Sequence, residues 1–256
     1  MSVSFVSSSS SLVVVVLDSV VVSSSSSFVV VVVLLGVELL GPALAETRMG
    51  GTPWHAHHIA ERYGLLVIIT LGEVIIGTVA ALNAVVHGEA GWTVDAALLA
   101  VAGVGLTFGC WWMYFALPWA EPLVRYRERG FPFGYGHLLI FGALAAMGAG
   151  LHVAAYSLES KAKIGATATV LSVAIPVAIY VAVLYALYSV LMRVRDPFHL
   201  GLIAGTGAIL VLSIVLAAAG VNVPLCLVVL ALAPVVTVVG YETLGHRHVA
   251  DALERL

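Results

Sequence analysis

Between residues 200 and 241 the chain runs for 42 positions without an Asp, Glu, Lys or Arg. A water-soluble domain draws about a quarter of its residues from those four types, so a run of this length belongs in a medium other than water. One crossing of a ~30 Å hydrocarbon core takes about 20 residues of α-helix, and this run is long enough for two. Residues 220–224, Gly-Val-Asn-Val-Pro, divide it, since Gly closes one helix and Pro opens the next.

Four more spans precede these two. Residues 63–86 form the first, interrupted by Glu73 and Asn83, and residues 96–117 the second, with Thr107 its only conventional polar group. The charge-free stretch 130–158 holds a third starting at His137, and 164–192 a fourth bent at Pro176; the sixth is kinked near Pro234. With 61% hydrophobic and 10% charged residues overall, the expected fold class is all-α: a polytopic integral membrane bundle of six helices. An additional N-terminal span is compatible with residues 28–45, although Glu38 interrupts it. The small net charge of −3 leaves no footprint for nucleic acid.

Two regions are expected. Residues 1–45 are a low-complexity leader built largely of Val and Ser, with five-serine runs at 7–11 and 23–27 and no cationic segment before its apolar run. A secretory signal is therefore a poor reading; an irregular anchor or a misassigned start, adding little to the fold, is the expectation. Residues 46–256 form the six-helix transmembrane domain. Its basic residues fix an orientation. Arg48, Arg62, Arg125, Arg127, Arg129, Arg193, Arg195, Arg247 and Arg255 fall on the side where the first span starts, against only Lys161 and Lys163 on the other. That asymmetry makes the arginine side cytoplasmic, and the C-terminus with it.

The stretch 55–77 carries the unusual chemistry. Thr52-Pro53 reads as a helix start, followed by three histidines, Glu61 and Arg62, and then a membrane-grade apolar segment. Glu73 lies ten residues past Tyr63, about 15 Å along the axis at 1.5 Å per residue, near the midplane. At 100° per residue it shares a face with His55, and lies within about 20° of Arg62 and about 60° of His58. A polar stripe from membrane surface to centre is expected, with Glu73 held against a partner or water as a protonation or ion site. The same cytoplasmic side gathers His58, Glu61 and Arg62, then Tyr114 at the end of the second span and His137 at the start of the third, and these ends are expected to adjoin.

Other features have plainer readings. Trp111, Trp112 and Tyr114 fit an interfacial aromatic belt. Gly105-x3-Gly109, Gly142-x3-Ala146-x3-Gly150 and Gly201-x3-Gly205 fit helix-packing surfaces. Cys110 and Cys226 lie in apolar spans as small hydrophobes. His55, His57 and His58 with His246 and His248 have the donors for a metal site, but no Cys ligand or fixed motif supports one. No metal and no cofactor is expected, and no P-loop, dinucleotide fingerprint or nucleophile elbow occurs.

The segment His58-Ile-Ala-Glu61-Arg62-Tyr63-Gly64, followed by Leu71-Gly72-Glu73, resembles the signature of the bacterial low temperature requirement A family. Trp112-Met-Tyr114-Phe115 and Tyr135-Gly136-His137 follow in the order of that family, so the resemblance covers roughly residues 39–256. It implies a polytopic protein of the bacterial inner membrane, in a family named for a cold-growth phenotype. Members usually carry an early acidic-aromatic motif of the Glu-Leu-Phe-Phe-Asp type; here the Val/Ser leader stands in its place. Three functions follow, in order: a transporter or channel for an ion or small polar solute using Glu73; a structural or assembly protein; and a membrane-embedded enzyme on lipid-linked substrates, with His58, Glu61, Arg62, His137 and Asp196 as its groups. The expected partners are membrane lipids, an ion or small polar solute, and a second copy of the chain.

Overall fold

The computed structural model describes residues 26–48, 53–87, 91–159, 163–193 and 197–245, and the chain divides at Pro53 into two compact units. The described part of the first unit is one helix, α1 (Ser26–Arg48), whose apolar segment Phe28–Ala45 presents exposed side chains along its length. The stretches 1–25 and 49–52, Thr52 included, lie outside the described residues.

The second unit contains α2 (Ala56–Val86), α3 (Val94–Phe115), the short α4 (Ala120–Arg125), a 3-10 turn Arg127–Arg129, α5 (Gly130–Leu158), α6 (Ala166–Met192), α7 (Pro197–Ala218) and α8 (Val223–Gly240), which closes in a π-turn Tyr241–Gly245. No strand occurs among the described residues. Among the described residues, seven helices, α1 and six of the second unit, are long and apolar enough to cross a membrane. In lipid every backbone polar group has to be satisfied within its own segment, which is why helices carry the fold.

Two helix starts differ from the sequence expectation. α2 begins at Ala56, three residues beyond Pro53. The Arg127 guanidinium lies over the Trp54 ring and donates to the Trp54 carbonyl, holding that segment out of the helix. α5 begins at Gly130, a full two turns before His137; Pro132 is tolerated there because N–H groups of a first helical turn have no intrahelical acceptor. The α7–α8 turn sits at 219–222, and Asn222 both caps α8 by accepting from Leu225 N and donates to Asp95 Oδ1 at 2.9 Å, tying this turn to the start of α3.

Within this unit the six spans pack as a closed ring, in the order α2, α3, α8, α7, α6, α5 and back to α2. Lipid tails are as apolar as leucine, so close van der Waals contact rather than hydrophobicity holds such helices together. At the α2–α5 crossing a Cβ on Gly77 would lie 2.8 Å from the Gly148 carbonyl oxygen, and on Gly150 one would lie 2.5 Å from Ser172 O of α6. Gly105 and Gly109 meet Ala231 and Pro234 of α8. The expected Gly142-x3-Ala146 surface is not a contact, because Gly142 and Ala146 are exposed and α5 packs through Gly148 and Gly150 instead. Buried hydroxyls return to the chain: Thr78 donates to Val74 O and Thr107 to Gly103 O, four residues back in each case.

Candidate functional site

Tyr114 occupies the last turn of α3, where helix carbonyls have no intrahelical donor. The chain turns through Leu117 and Pro118, and Trp119 folds back so that its indole Nε1 donates to Tyr114 O at 3.0 Å. This turn drives the Tyr114 ring into the bundle, where its side chain is 1% exposed. α5 brings His137 to meet it, fully buried, with Tyr114 Oη and His137 Nε2 2.8 Å apart.

His137 Nδ1 lies 2.7 Å from Phe133 O. A carbonyl only accepts, so Nδ1 carries the proton; Nε2 is then the acceptor, and Tyr114 donates. The imidazole is caged by aromatic rings: Phe133 at 4.3 Å between centroids, Tyr63 at 4.7 Å and Trp119 at 6.0 Å. Gly134 makes room for Tyr63, since a Cβ there would sit 2.8 Å from the Tyr63 hydroxyl. Every polar atom of the pair is satisfied, as a low-dielectric interior demands.

Tyr114 and Trp119 form one wall of a pocket of about 370 Å³ at this end of the bundle. The rest of the lining comes from the first turns of α2, with His57, Glu61 and Gly64, and from Glu121 of α4; Gly64 is buried, while His57, Glu61 and Glu121 are exposed and so stand at the mouth. A concave, mostly apolar space with a few convergent polar groups is the usual form of a small-ligand site, and the volume falls near the small end of the usual range of about 300–1,000 Å³. Two carboxylates and an imidazole at the mouth suit a cation or a small polar solute with hydrogen-bond donors.

The ends of the first three spans therefore adjoin: Glu61 and Tyr114 line one pocket, and His137 bonds Tyr114 behind it. Tyr114 is buried rather than part of an interfacial belt; Trp111 and Trp112 are exposed, and Trp112 Nε1 donates to Glu242 at 2.9 Å. His58 is exposed and outside the pocket lining, 4.0 Å from Glu61 across one turn, a solvated pair of little energetic weight. Arg62 is exposed and makes no hydrogen bond or ion pair among the described residues.

Glu73 is also exposed, with no hydrogen bond or ion pair among the described residues. Of the two expected surroundings, a partner or water, a partner within the bundle is not what the described residues offer Glu73. α2 packs through Val67, Leu71, Val74, Gly77, Thr78 and Ala81, and Glu73 lies about 110° from the centre of that face at 100° per residue. The stripe of His55, His58, Arg62 and Glu73 points outward, on the flank of α2 away from the pocket.

A second His–Tyr pair joins α7 to the end of α8, with His199 Nε2 and Tyr241 Oη 2.6 Å apart and both residues buried. The rings of Tyr188 and Tyr185 lie 4.7 and 5.5 Å from His199. Tyr185 donates to Thr237 Oγ1, which also bonds Thr206, both at 3.2 Å. Sequence reasoning placed His199 at the same end of the bundle but did not pair it; it counted His57 among the histidine donors and Tyr63 in the family motif without setting either in a site, and it missed Trp119 and Glu121 as pocket residues. His57 stands four residues before Glu61, a one-turn spacing that marks it; nothing local marks Trp119 or Glu121, which arrive through the loop after Pro118. Asp196, His246 and His248 lie outside the described residues, and among those described no group of three or more His, Cys, Asp or Glu is arranged to hold a metal.

A family model, that of the bacterial low temperature requirement A protein (LtrA), matches residues 2–234. The chain belongs to the LtrA family. The match reaches through the Val/Ser leader, well upstream of the 39–256 covered by the motif resemblance, and it ends before Tyr241. Within LtrA, then, the Tyr114–His137 pair and its pocket lie inside the matched region, whereas Tyr241 of the second pair lies beyond it. No curated protein and no solved structure matches the chain. With seven such apolar helices among the described residues, this is a bacterial multi-pass membrane protein.

Proposed function

We propose that the protein is a transporter or channel for an ion or small polar solute in the bacterial inner membrane, with its C-terminus cytoplasmic. One observation carries this reading. The pocket bounded by His57, Glu61 and Glu121 ends on a buried, fully hydrogen-bonded Tyr114–His137 pair, so polar groups run in series from the membrane surface into the bundle. The arginine excess at that end supports a cytoplasmic mouth. Glu73 enters the same proposal as an intramembrane protonation or ion site. It lies about 140° around α2 from the pocket face, so access and the intramembrane step separate into two tests.

Full-length protein in liposomes is expected to pass a small monovalent cation. Glu61→Gln with Glu121→Gln should keep the melting temperature and lower flux about tenfold, as loss of two charged ligand contacts would. Glu73→Gln should fold normally and lose flux. Absence of flux of any monovalent cation from folded wild-type protein would overturn the transport reading.

A second reading, assembly with another membrane chain, is favoured by the outward placement of Glu73 at mid-span. A charge at that depth costs about 2.5–3.5 kcal/mol on insertion scales, a strong incentive to cover it. On that reading Glu73→Leu shifts the oligomeric state in detergent and leaves flux intact.

A further inference from the structure

The polar and apolar residues of the pocket are sorted along its length. On α2 it is lined by His57, Glu61, Gly64, Leu65 and Ile68, which fall within an arc of about 100° on one side of the helix at 100° per residue. From His57 to Ile68 this lining runs about 16 Å along the axis at 1.5 Å per residue. Its polar groups all lie in the first turn and a half; beyond Glu61 the α2 lining is apolar. To these α4 adds Glu121, and the last turn of α3 adds Phe115.

The fixed charges of the lining are of one sign. Glu61 and Glu121 are carboxylates, and no Lys or Arg occurs among the described lining residues. His58 lies 4.0 Å from Glu61, but both side chains are largely exposed. Water screens that contact and leaves the carboxylate available to a second cation. The apolar end offers open surface: Leu65, Ile68 and Phe115 are all exposed. The Phe115 ring lies against α2 at Gly64, where a Cβ would come within 3.3 Å of its Cε1, and it meets the Tyr114 ring edge to face at 5.0 Å. An exposed aromatic face attracts an ammonium through its quadrupole, and alkyl groups on the nitrogen add apolar contact that a hydrated metal ion does not.

We infer that the pocket takes an alkylammonium, its nitrogen held at the Glu61–Glu121 end and its chain laid along Leu65, Ile68 and Phe115. This rests on the reading of the pocket as a solute site and narrows the solute to an amphipathic organic cation. A bare metal ion leaves the apolar half of the lining unused, and a neutral alcohol leaves the two carboxylates without a countercharge. A phospholipid headgroup would bring its phosphate against them. The polar end lies at the ends of the spans, and the apolar end runs into the depth of the first. An alkylammonium takes the same arrangement in a membrane, head at the surface and chain inward.

The test is calorimetric titration of the full-length protein in a neutral detergent with tetramethylammonium, then with ethyl- through hexyltrimethylammonium. Affinity is expected to rise about two- to fourfold with each added methylene. Potassium ion and 1-hexanol should each bind about tenfold more weakly than hexyltrimethylammonium, or weaker still. Glu61→Gln with Glu121→Gln should weaken the whole ammonium series about tenfold and leave 1-hexanol unchanged, which separates the pocket from uptake into the micelle. A series flat in chain length, potassium bound as tightly as hexyltrimethylammonium, or equal titrations of wild type and variant overturns the inference. Potassium flux in liposomes from protein that fails the titration keeps the transport reading and overturns the alkylammonium. A titration that succeeds without flux of any cation keeps the site and removes transport. Should the double variant fold poorly, Phe115→Leu keeps an apolar side chain and drops the aromatic face. It is expected to weaken the ammonium series about two- to fivefold and 1-hexanol less, and an equal effect on both overturns the site.

Discussion

The two halves of the ring each bury a histidine against a tyrosine, with the same two atoms bonded at nearly the same distance, yet their surroundings differ. In both, a tyrosine at the end of one span reaches a histidine near the start of another. Tyr114–His137 backs onto a pocket with three ionisable groups at its mouth. His199–Tyr241 is packed by Tyr185 and Tyr188, beside hydroxyls from Thr206 and Thr237, and lines no part of that pocket. The pair itself is a way to pin helices in a medium without water, because each buried partner satisfies the other. What would separate a structural pin from a site is access, and Tyr114 of the first pair lines a space that a solute can enter.

The comparison breaks most visibly at the histidines. His137→Leu takes from the buried Tyr114 hydroxyl its imidazole acceptor, and His199→Leu removes the buried bond to Tyr241; each loss is about 1–3 kcal/mol. The fall in melting temperature should be about 2–4 °C per kcal/mol for a chain of this size. The two variants are expected to lose similar stability and to differ in transport, with flux lost at His137 and retained per folded molecule at His199. Equal flux from both would place the pairs in one class.

A smaller effect sharpens the second half. Thr237→Val keeps the side-chain shape and strands the Tyr185 hydroxyl, for about 1 kcal/mol of stability. Calorimetry or fluorescence melting should record that loss with no change in flux. A large flux defect there would show that the α6–α8 hydroxyl network serves transport after all.

The distribution of charge made the six crossings legible, along with the turn at 219–222 and the gathering of Glu61, Tyr114 and His137 at one end. Two things were out of reach. The outward aim of Glu73 was hidden because hydropathy registers apolar surroundings without distinguishing lipid from a neighbouring helix; small residues such as Gly77 and Gly148 decide which face packs, and their partners are far apart in sequence. The pocket was hidden because it depends on how residues 116–126 turn back. The Trp119 indole bond to Tyr114 O settles that turn, and no periodicity announces it.

On the proposed function, Tyr114 works in transport while Tyr241 holds helices together. The most direct measurement is flux per folded molecule in liposomes for Tyr114→Phe and Tyr241→Phe, each of which removes one hydroxyl and about 0.5–1.5 kcal/mol of hydrogen bonding. The expected result is a flux loss of about tenfold, or 1.4 kcal/mol in barrier terms, for Tyr114→Phe alone, with Tyr241→Phe transporting as the wild type does. Unchanged flux from a folded Tyr114→Phe protein, or an equal loss from both, would contradict it.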